Sequence, residues 1–396
     1  MSKTKESGFS LVELLVATAL LLVILGPLLS FMRSAQLLRS TSYKLTDVEQ
    51  NARAALVLIG RDLQNAGYNF TPAIDTSGSN LLTPLLGTGT QAVSNLYPII
   101  PGNNINLVET LSSTGATVTN ATDQITMVYT NQIFNNGLPL TGTVNSTGSQ
   151  FTLIPGLSLT GQATLYDGNF CVLNAGQESA VGIVTSTTLP NKINFQSGGA
   201  DIYNINRPGT GPLSKLDPQQ VNRLITLYTF YFVTYFVDRN GNLVRRESFA
   251  PPHTASTAPN NMTPASVTAN TQDYPCGPGN KCYRDNIIAT GIEDLQFTYF
   301  LSERKNPNTR VPLTTAPVDD PGFYGASINQ GIKETDYRLL DIRRVNISIK
   351  ARAQERDAKV RDPYNSNNGY LYRFSLEGTF NTRNFYGNSY KPKPLE

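Results

Sequence analysis

Gly8-Phe9-Ser10-Leu11-Val12-Glu13 stands directly before Leu14–Met32, a run of 19 residues without a charged side chain. That length is close to the ~20 residues that cross a bilayer as a helix. The residues ahead of it, Met1 to Gly8, are few and polar and include Lys3 and Lys5. A secretory signal would have a shorter apolar block followed by a small-x-small cleavage site. No Ala-x-Ala site follows here, and the run passes straight into a helical pattern. The segment is therefore expected to be retained as an anchor. Glu13 is the anomaly. A carboxylate in the middle of a membrane helix costs roughly 2.5–3.5 kcal/mol on insertion scales, and less near an end. It either snorkels to the headgroups or has a partner.

Inside the run, Gly26-Pro27 predicts a kink or a local break, because proline removes a helical hydrogen bond and clashes with the preceding turn. From Arg33 the pattern turns amphipathic. Leu45, Val48, Ala52, Ala55, Leu56, Ile59, Leu63 and Ala66 recur at spacings of three and four, which places them within an arc of roughly 100° on a helix. Arg53, Arg61 and Asp62 are expected off that face, and Gly67 is a natural stop. Phe9 to Ala66 reads as one helix of ~87 Å at 1.5 Å per residue. Its first half suits a membrane, and its second half suits a sheet.

Gly8-Phe9-Ser10-Leu11-Val12-Glu13 resembles the signal of the type IV prepilin family, Gly-Phe-Ser/Thr-Leu-x-Glu ahead of an apolar helix. The resemblance implies that prepilin peptidase cuts between Gly8 and Phe9 and that Phe9 is N-methylated. It further implies that Glu13 meets the Phe9 amine of a neighbouring subunit during filament assembly. Arg53-Ala-Ala-Leu56, Ile59-Gly-Arg61-Asp62-Leu63 and Gly67-Tyr68 are similar to the end of the long helix in PilW-type minor pilins. Gly291-Ile-Glu293-Asp294-Leu295-Gln296-Phe297 and Thr379-Phe-Asn-Thr-Arg383-Asn384 are similar to later blocks of that group. The J-type minor pseudopilins of type II secretion share much of this pattern. Residues 71–220 are not covered by the likeness.

Beyond the helix the chain is sparsely charged. Only 15% of residues are charged, against roughly 25% in average globular proteins, and hydroxyl and amide side chains fill the gap. No Lys or Arg occurs between Arg61 and Lys192, and residues 71–160 carry only Asp75, Glu109 and Asp123 as charges. A net charge of +3 is too small to argue for nucleic acid or an acidic substrate. Asp123–Tyr129 and Phe151–Ile154 read as strands between polar loops. Leu224–Val237 is a long aromatic and β-branched run. It leads through Asp238-Arg239-Asn240-Gly241-Asn242 into Leu243-Val244, a strong hairpin signal. Asp238, Asn240 and Asn242 also have the look of a calcium loop, but no closing Glu stands in place. Further strands are expected at Gly291–Leu301, Ile342–Ala351 and Tyr370–Phe380, with residues 352–369 connecting the last two.

Little in the sequence suggests catalysis. The one histidine, His253, lies in a Pro-rich loop, and neither a phosphate-binding Gly loop nor a Gly-x-Ser-x-Gly motif is present. Asp319-Asp320 and Glu293-Asp294 read as turn and strand-edge acids. Cys276 and Cys282 flank Gly277-Pro278-Gly279-Asn280 and could close a small disulfide loop outside the cytoplasm, or be unrelated thiols. Cys171 reads as a buried small hydrophobe. Arg245-Arg246 and Arg343-Arg344 among tyrosines are compatible with single-stranded nucleic acid, but period-two alternation favours sheet faces instead.

The expected fold is α+β and pilin-like, a long N-terminal helix packed on an antiparallel sheet, with a large β- and loop-rich insertion. The expected divisions are 1–8 leader, 9–32 membrane or filament-core helix, 33–66 amphipathic half, 67–220 polar β/loop-rich region and 221–396 C-terminal antiparallel β region. The expected role is that of a minor pilin in a type IV pilus, with no catalytic residue, metal, cofactor or small-molecule substrate. A minor pseudopilin of type II secretion is the first alternative, and a membrane-anchored exported binding protein is the second. By resemblance the partners are prepilin peptidase, the inner-membrane assembly platform, other minor pilins and the major pilin. The prepilin would cross the inner membrane once, with its globular part in the periplasm, before entering a pilus or pseudopilus.

Overall fold

Ser10 takes the extended backbone of an N-cap, and the α-helix it starts runs from Leu11 to Asn65. The computed structural model describes residues 10–67, 74–75, 95–111, 117–248, 274–305, 312–313 and 342–382, apart from short breaks within the longer spans. The helix is continuous through Gly26 and Pro27, so the local break expected there is absent. Pro27 lacks only the N–H that would bond the Val23 carbonyl, a loss that apolar membrane-type helices tolerate. At the far end Gly67 has φ +73°, and a Cβ there would lie 2.7 Å from the Pro98 ring. Its N–H donates to the Val128 carbonyl at 2.9 Å. Glycine is thus required twice, by conformation and by space.

The amphipathic half buries the expected stripe. Val48, Ala52, Ala55, Ile59, Leu63 and Ala66 are buried, and Leu56 packs at their margin. Leu45 is 42% exposed. Asp62 corrects the helical-wheel reading: it is buried, at 4% exposure.

The helix lies on a three-stranded antiparallel sheet of Ile292–Leu301, Ile342–Arg352 and Arg373–Asn381, with Ile342–Arg352 in the middle. These are the expected C-terminal strands with ends shifted by up to three residues. Small residues bring the two layers together. A Cβ on Gly60 would fall 2.1 Å from the Phe380 ring, and one on Gly378 would fall 2.9 Å from Leu56. Residues 352–369, expected as a connection, contain the strand Asp357–Arg361, paired with Gly369–Tyr370.

The remaining large sheet has 14 strands and is organised by Ile225–Val237. Near its start this strand is flanked by Leu140–Val144 and Phe170–Ala175. Towards its end the neighbours are Thr117–Thr130 and Leu243–Ser248. The turn 238–242 closes as the expected hairpin: Asp238 accepts from the Asn240 and Asn242 amides at 3.0 and 2.7 Å, and Gly241 sits at φ +78°. Because Ile225–Val237 pairs with strands from 117–175, the compositional boundary at 220/221 does not divide this sheet. Asp123 ties the two sheets together, accepting from the Phe297 and Asn104 amides, each at 2.8 Å.

Two apolar cores result. One lies between the helix and both sheets and includes Ile59, Leu63, Val128, Phe232, Phe297 and Ile347. The other includes no residue of the long α-helix; it is built from Phe134, Phe151, Leu173, Ile193, Phe195 and Leu227, among others. Register locates this second lobe. Asp62 meets Tyr235, whereas Gly67 meets Val128, the partner of Phe232. Tyr235 to Phe232 therefore runs in the same direction as Asp62 to Gly67. From Phe232 the strand continues seven residues to Ile225, ~23 Å at 3.3 Å per residue. The second lobe lies beyond the end of the helix.

Candidate functional site

The N-terminal segment has two regions that bear on function, the start of the helix and its seating on the sheet. Ser10, at φ −78° and ψ 147°, forms a reciprocal cap with Glu13. The Glu13 amide donates to the Ser10 hydroxyl at 3.2 Å, and the Ser10 amide donates to the Glu13 carboxylate at 3.0 Å. The Leu14 amide, donating to the Ser10 carbonyl at 3.2 Å, makes the first helical bond. This capping box satisfies two backbone donors that a helix start leaves open, and it places negative charge at the positive end of the helix dipole. Glu13 itself is exposed, so its carboxylate can be reached by a neighbouring group. Gly8 and Phe9 lie outside the described residues.

From Leu11 to Met32, 14 large apolar side chains are exposed, Leu11 at 80% and Phe31 at 72% among them. At about 1.5–3 kcal/mol each, leaving them in water would forgo roughly 20–40 kcal/mol, more than the net stability of a typical domain. None of the most apolar part of this helix is buried within the chain, and it is long enough to cross a membrane. A membrane or other helices must cover it.

The seating is polar where it was expected to be apolar. Asp62 accepts from the Arg245 guanidinium and from the Tyr235 hydroxyl, each at 2.7 Å. Tyr129 donates to the Asp62 main-chain carbonyl, and Arg245 also pairs with Glu247. Arg61 reaches the other Asp62 oxygen at 3.4 Å. Burial and then the Asp62 charge push the Tyr235 phenol well above its ordinary range, so it stays a neutral donor. Burial works against the Arg245 charge, but its hydrogen bond and attraction to Asp62 outweigh that and hold it protonated. Arg246, next in the strand, points the other way and forms a two-bond pair with Asp285 at 2.6 and 2.7 Å. Both members of the Arg245-Arg246 pair are therefore engaged inside the fold, whereas Arg344 is exposed beside the Phe300 ring. Sequence reading missed this cluster; its faint signal was an acid between Ile59 and Leu63 on an otherwise apolar helix face.

The other expected positions are dispersed. Cys171 is buried and unbonded, and burial pushes its thiol well above the ordinary range. Cys276 and Cys282 stand on the two arms of the hairpin Tyr274–Gly277 and Asn280–Ala289, but their side chains lie outside the described residues. Glu293 pairs with Arg373 at 2.8 Å and Asp294 with Lys350 at 2.9 Å, as strand-edge acids would. His253, Asp319, Asp320, Arg383 and Asn384 lie outside the described residues.

Residues 3–29 match the family model for the prokaryotic N-terminal methylation motif. The N-terminal segment is prepilin-like. Its motif marks pilin- or pseudopilin-type processing by prepilin peptidase, and the exposed apolar helix behind it fits a membrane-anchored pilin. No curated protein and no solved structure matches the chain. The match thus speaks for the prepilin-like segment, and the β region must be read from its geometry.

Proposed function

We propose that the chain is a minor pilin of a type IV pilus that acts in an initiation or tip complex. Prepilin peptidase removes residues 1–8 and leaves Phe9 as an N-methylated terminus. Glu13 then pairs with the Phe9 amine of a neighbouring subunit. Such a pair offsets two desolvation costs in a low-dielectric filament core and sets axial register. Before assembly the subunit waits in the inner membrane with its β region in the periplasm. Its partners are the peptidase, the assembly platform, other minor pilins and the major pilin.

One observation carries the choice of an end position. The second β lobe reaches ~23 Å past the helix terminus along the central strand, on the side opposite the membrane anchor. Where helices stack along a filament core, that volume belongs to the body of the next subunit. A subunit with such a lobe suits a place that nothing has to follow. The two tests are mass spectrometry of the N-terminal peptide and immunogold labelling of sheared filaments. N-methylated Phe9 and gold at filament ends are the expected results. An intact Met1 or Ser2 in a host with active peptidase would sink the pilin reading, and gold spaced along shafts would sink the end position. Loss of enzyme secretion with pili unaffected would transfer the protein to a type II secretion filament.

A further inference from the structure

We propose that the collar where the helix leaves its apolar segment and meets the sheet is a docking surface for anionic phospholipid headgroups. It is formed by Arg33 and Arg39 on the helix and by Arg352 and Arg373 at the end of the sheet above them. The inference rests on the membrane anchor described above, but not on which side of the membrane the β region occupies.

Height along the helix brings the first two arginines to the headgroups. Leu14–Met32 measures ~28 Å at 1.5 Å per residue, about the thickness of a hydrocarbon core. With that run in the core, Arg33 stands at its boundary and Arg39 ~10 Å beyond Met32, at the outer margin of a headgroup layer about 5–8 Å deep. Both arginines are exposed. Arg39 lies 5.4 Å from the centre of the Tyr43 ring and donates to its hydroxyl at 3.1 and 3.2 Å. An aromatic ring with a polar tip is thus held close to the level where such residues gather. Lys44 follows, and no Asp or Glu occurs between Glu13 and Asp47. Lys3 and Lys5 stand ahead of the same span. Positive charge therefore flanks both of its ends, and orientation by charge bias does not account for the cations on the β side.

The sheet supplies an independent second part. The Tyr372 hydroxyl donates to the Thr41 hydroxyl at 3.1 Å, and Gly60 abuts the Phe380 ring. Between those contacts the helix advances ~28 Å and the chain from Tyr372 to Phe380 ~26 Å. The strand Arg373–Asn381 therefore runs beside the helix, with Arg373 at the anchor end. Arg352 is the cross-strand neighbour of Arg373. Both reach the Glu293 carboxylate, at 3.7 and 2.8 Å, and the Arg373 side chain is still 44% exposed. Like charges side by side across a strand pair are unfavourable, and one acid does not balance two arginines. An anionic surface below them does. The Thr41 contact sets this rim ~13 Å above Met32, within about a Debye length of the headgroups.

The chain has no tryptophan, so Phe31→Trp places a single fluorescent reporter close to Arg33 in the full chain. The protein is reconstituted in vesicles of equal parts phosphatidylglycerol and phosphatidylcholine, with bromine on the acyl chains of one lipid or the other. Quenching should show phosphatidylglycerol enriched about twofold or more around the reporter, with the preference lost in about 0.5 M NaCl. Arg33→Gln combined with Arg39→Gln should bring the ratio close to one, whereas Arg33→Lys with Arg39→Lys should keep it. Arg373→Gln should lower it in part, and an unchanged ratio there would overturn the role given to the sheet. Equal quenching by both lipids in the parent would overturn the proposal and leave these cations for an acidic protein partner. A preference that survives the glutamine pair would also overturn it, as would one abolished by inorganic phosphate at constant ionic strength. Quenching by neither lipid would place the helix outside the bilayer, and the anchor reading would fall together with this inference.

Discussion

Replacing Asp62 by alanine should be among the most damaging single changes in the β-packed half of the helix. Asp62 is 4% exposed, and its carboxylate is the acceptor for Arg245 and Tyr235 at 2.7 Å each. Removing one member of a buried ion pair costs about 3–5 kcal/mol, because the other charge is left without compensation. Here the loss is tempered, since Arg245 is 14% exposed and retains Glu247. The stranded Tyr235 hydroxyl adds about 1 kcal/mol. Together these suggest a loss of about 3 kcal/mol, while Asp62→Asn, which keeps one acceptor, should lose about half as much. The assay is urea unfolding of the full chain in mild detergent, with tyrosine fluorescence and far-ultraviolet circular dichroism as independent probes. A double-mutant cycle with Arg245→Met isolates the pair and should give a coupling of at least about 1 kcal/mol. A loss below about 1 kcal/mol for Asp62→Ala, or no coupling in the cycle, would refute the claim that this pair seats the helix.

Gly60→Ala adds a methyl group 2.1 Å from the Phe380 ring. Overpacking should outweigh the gain in helix propensity and lower stability by about 1–3 kcal/mol, read from the thermal midpoint, with Phe380→Leu restoring part of it. Asp123→Ala strands the Phe297 and Asn104 amides and should cost about 2–4 kcal/mol in the same unfolding assay. An effect below about 0.5 kcal/mol would show that the two sheets are joined mainly by apolar contact. Burial raises the Asp201 carboxyl above its ordinary range despite bonds from the Ile205 and Asn206 amides. Folding therefore disfavours its charged form, a penalty absent below the unfolded pKa and complete above the folded one. The stability of the parent relative to Asp201→Asn should fall as pH rises through and above the ordinary carboxylate range, and a rise would contradict the assignment. Thiol counting in denaturant without reductant should find one reactive group, Cys171, if Cys276 and Cys282 close the small disulfide loop, and three if they are unrelated thiols.

Local pattern carried far in this chain because its strongest features are local. The spacing of Val48, Ala52, Ala55, Ile59 and Leu63 sets the buried face of the helix, and Asn240-Gly241 sets a hairpin whose register follows from the turn. Ile225–Val237 is buried along nearly its whole length; its aromatic and β-branched run marked it as a strand. Its neighbours were not legible. Pairing with Phe170–Ala175 and Thr117–Thr130 is settled by chain segments that composition had assigned to a separate region. The charged cluster failed for a related reason. A helical wheel treats Asp62 as polar and so turns it to solvent, and alternation in Leu243–Ser248 puts one of Arg245 and Arg246 on an open face. Each rule assumes that one side of the element meets water. In this fold both sides of Leu243–Ser248 are covered, by the helix end at Arg245 and by the Phe236 ring and Asp285 at Arg246. Two adjacent arginines on a strand covered on both faces need acids on both, and the fold supplies Asp62 and Glu247 to Arg245 and Asp285 to Arg246. Asp62 is the acid that the helix brings to Arg245, so the apolar wheel and this polar exception to it seat the helix at the same place.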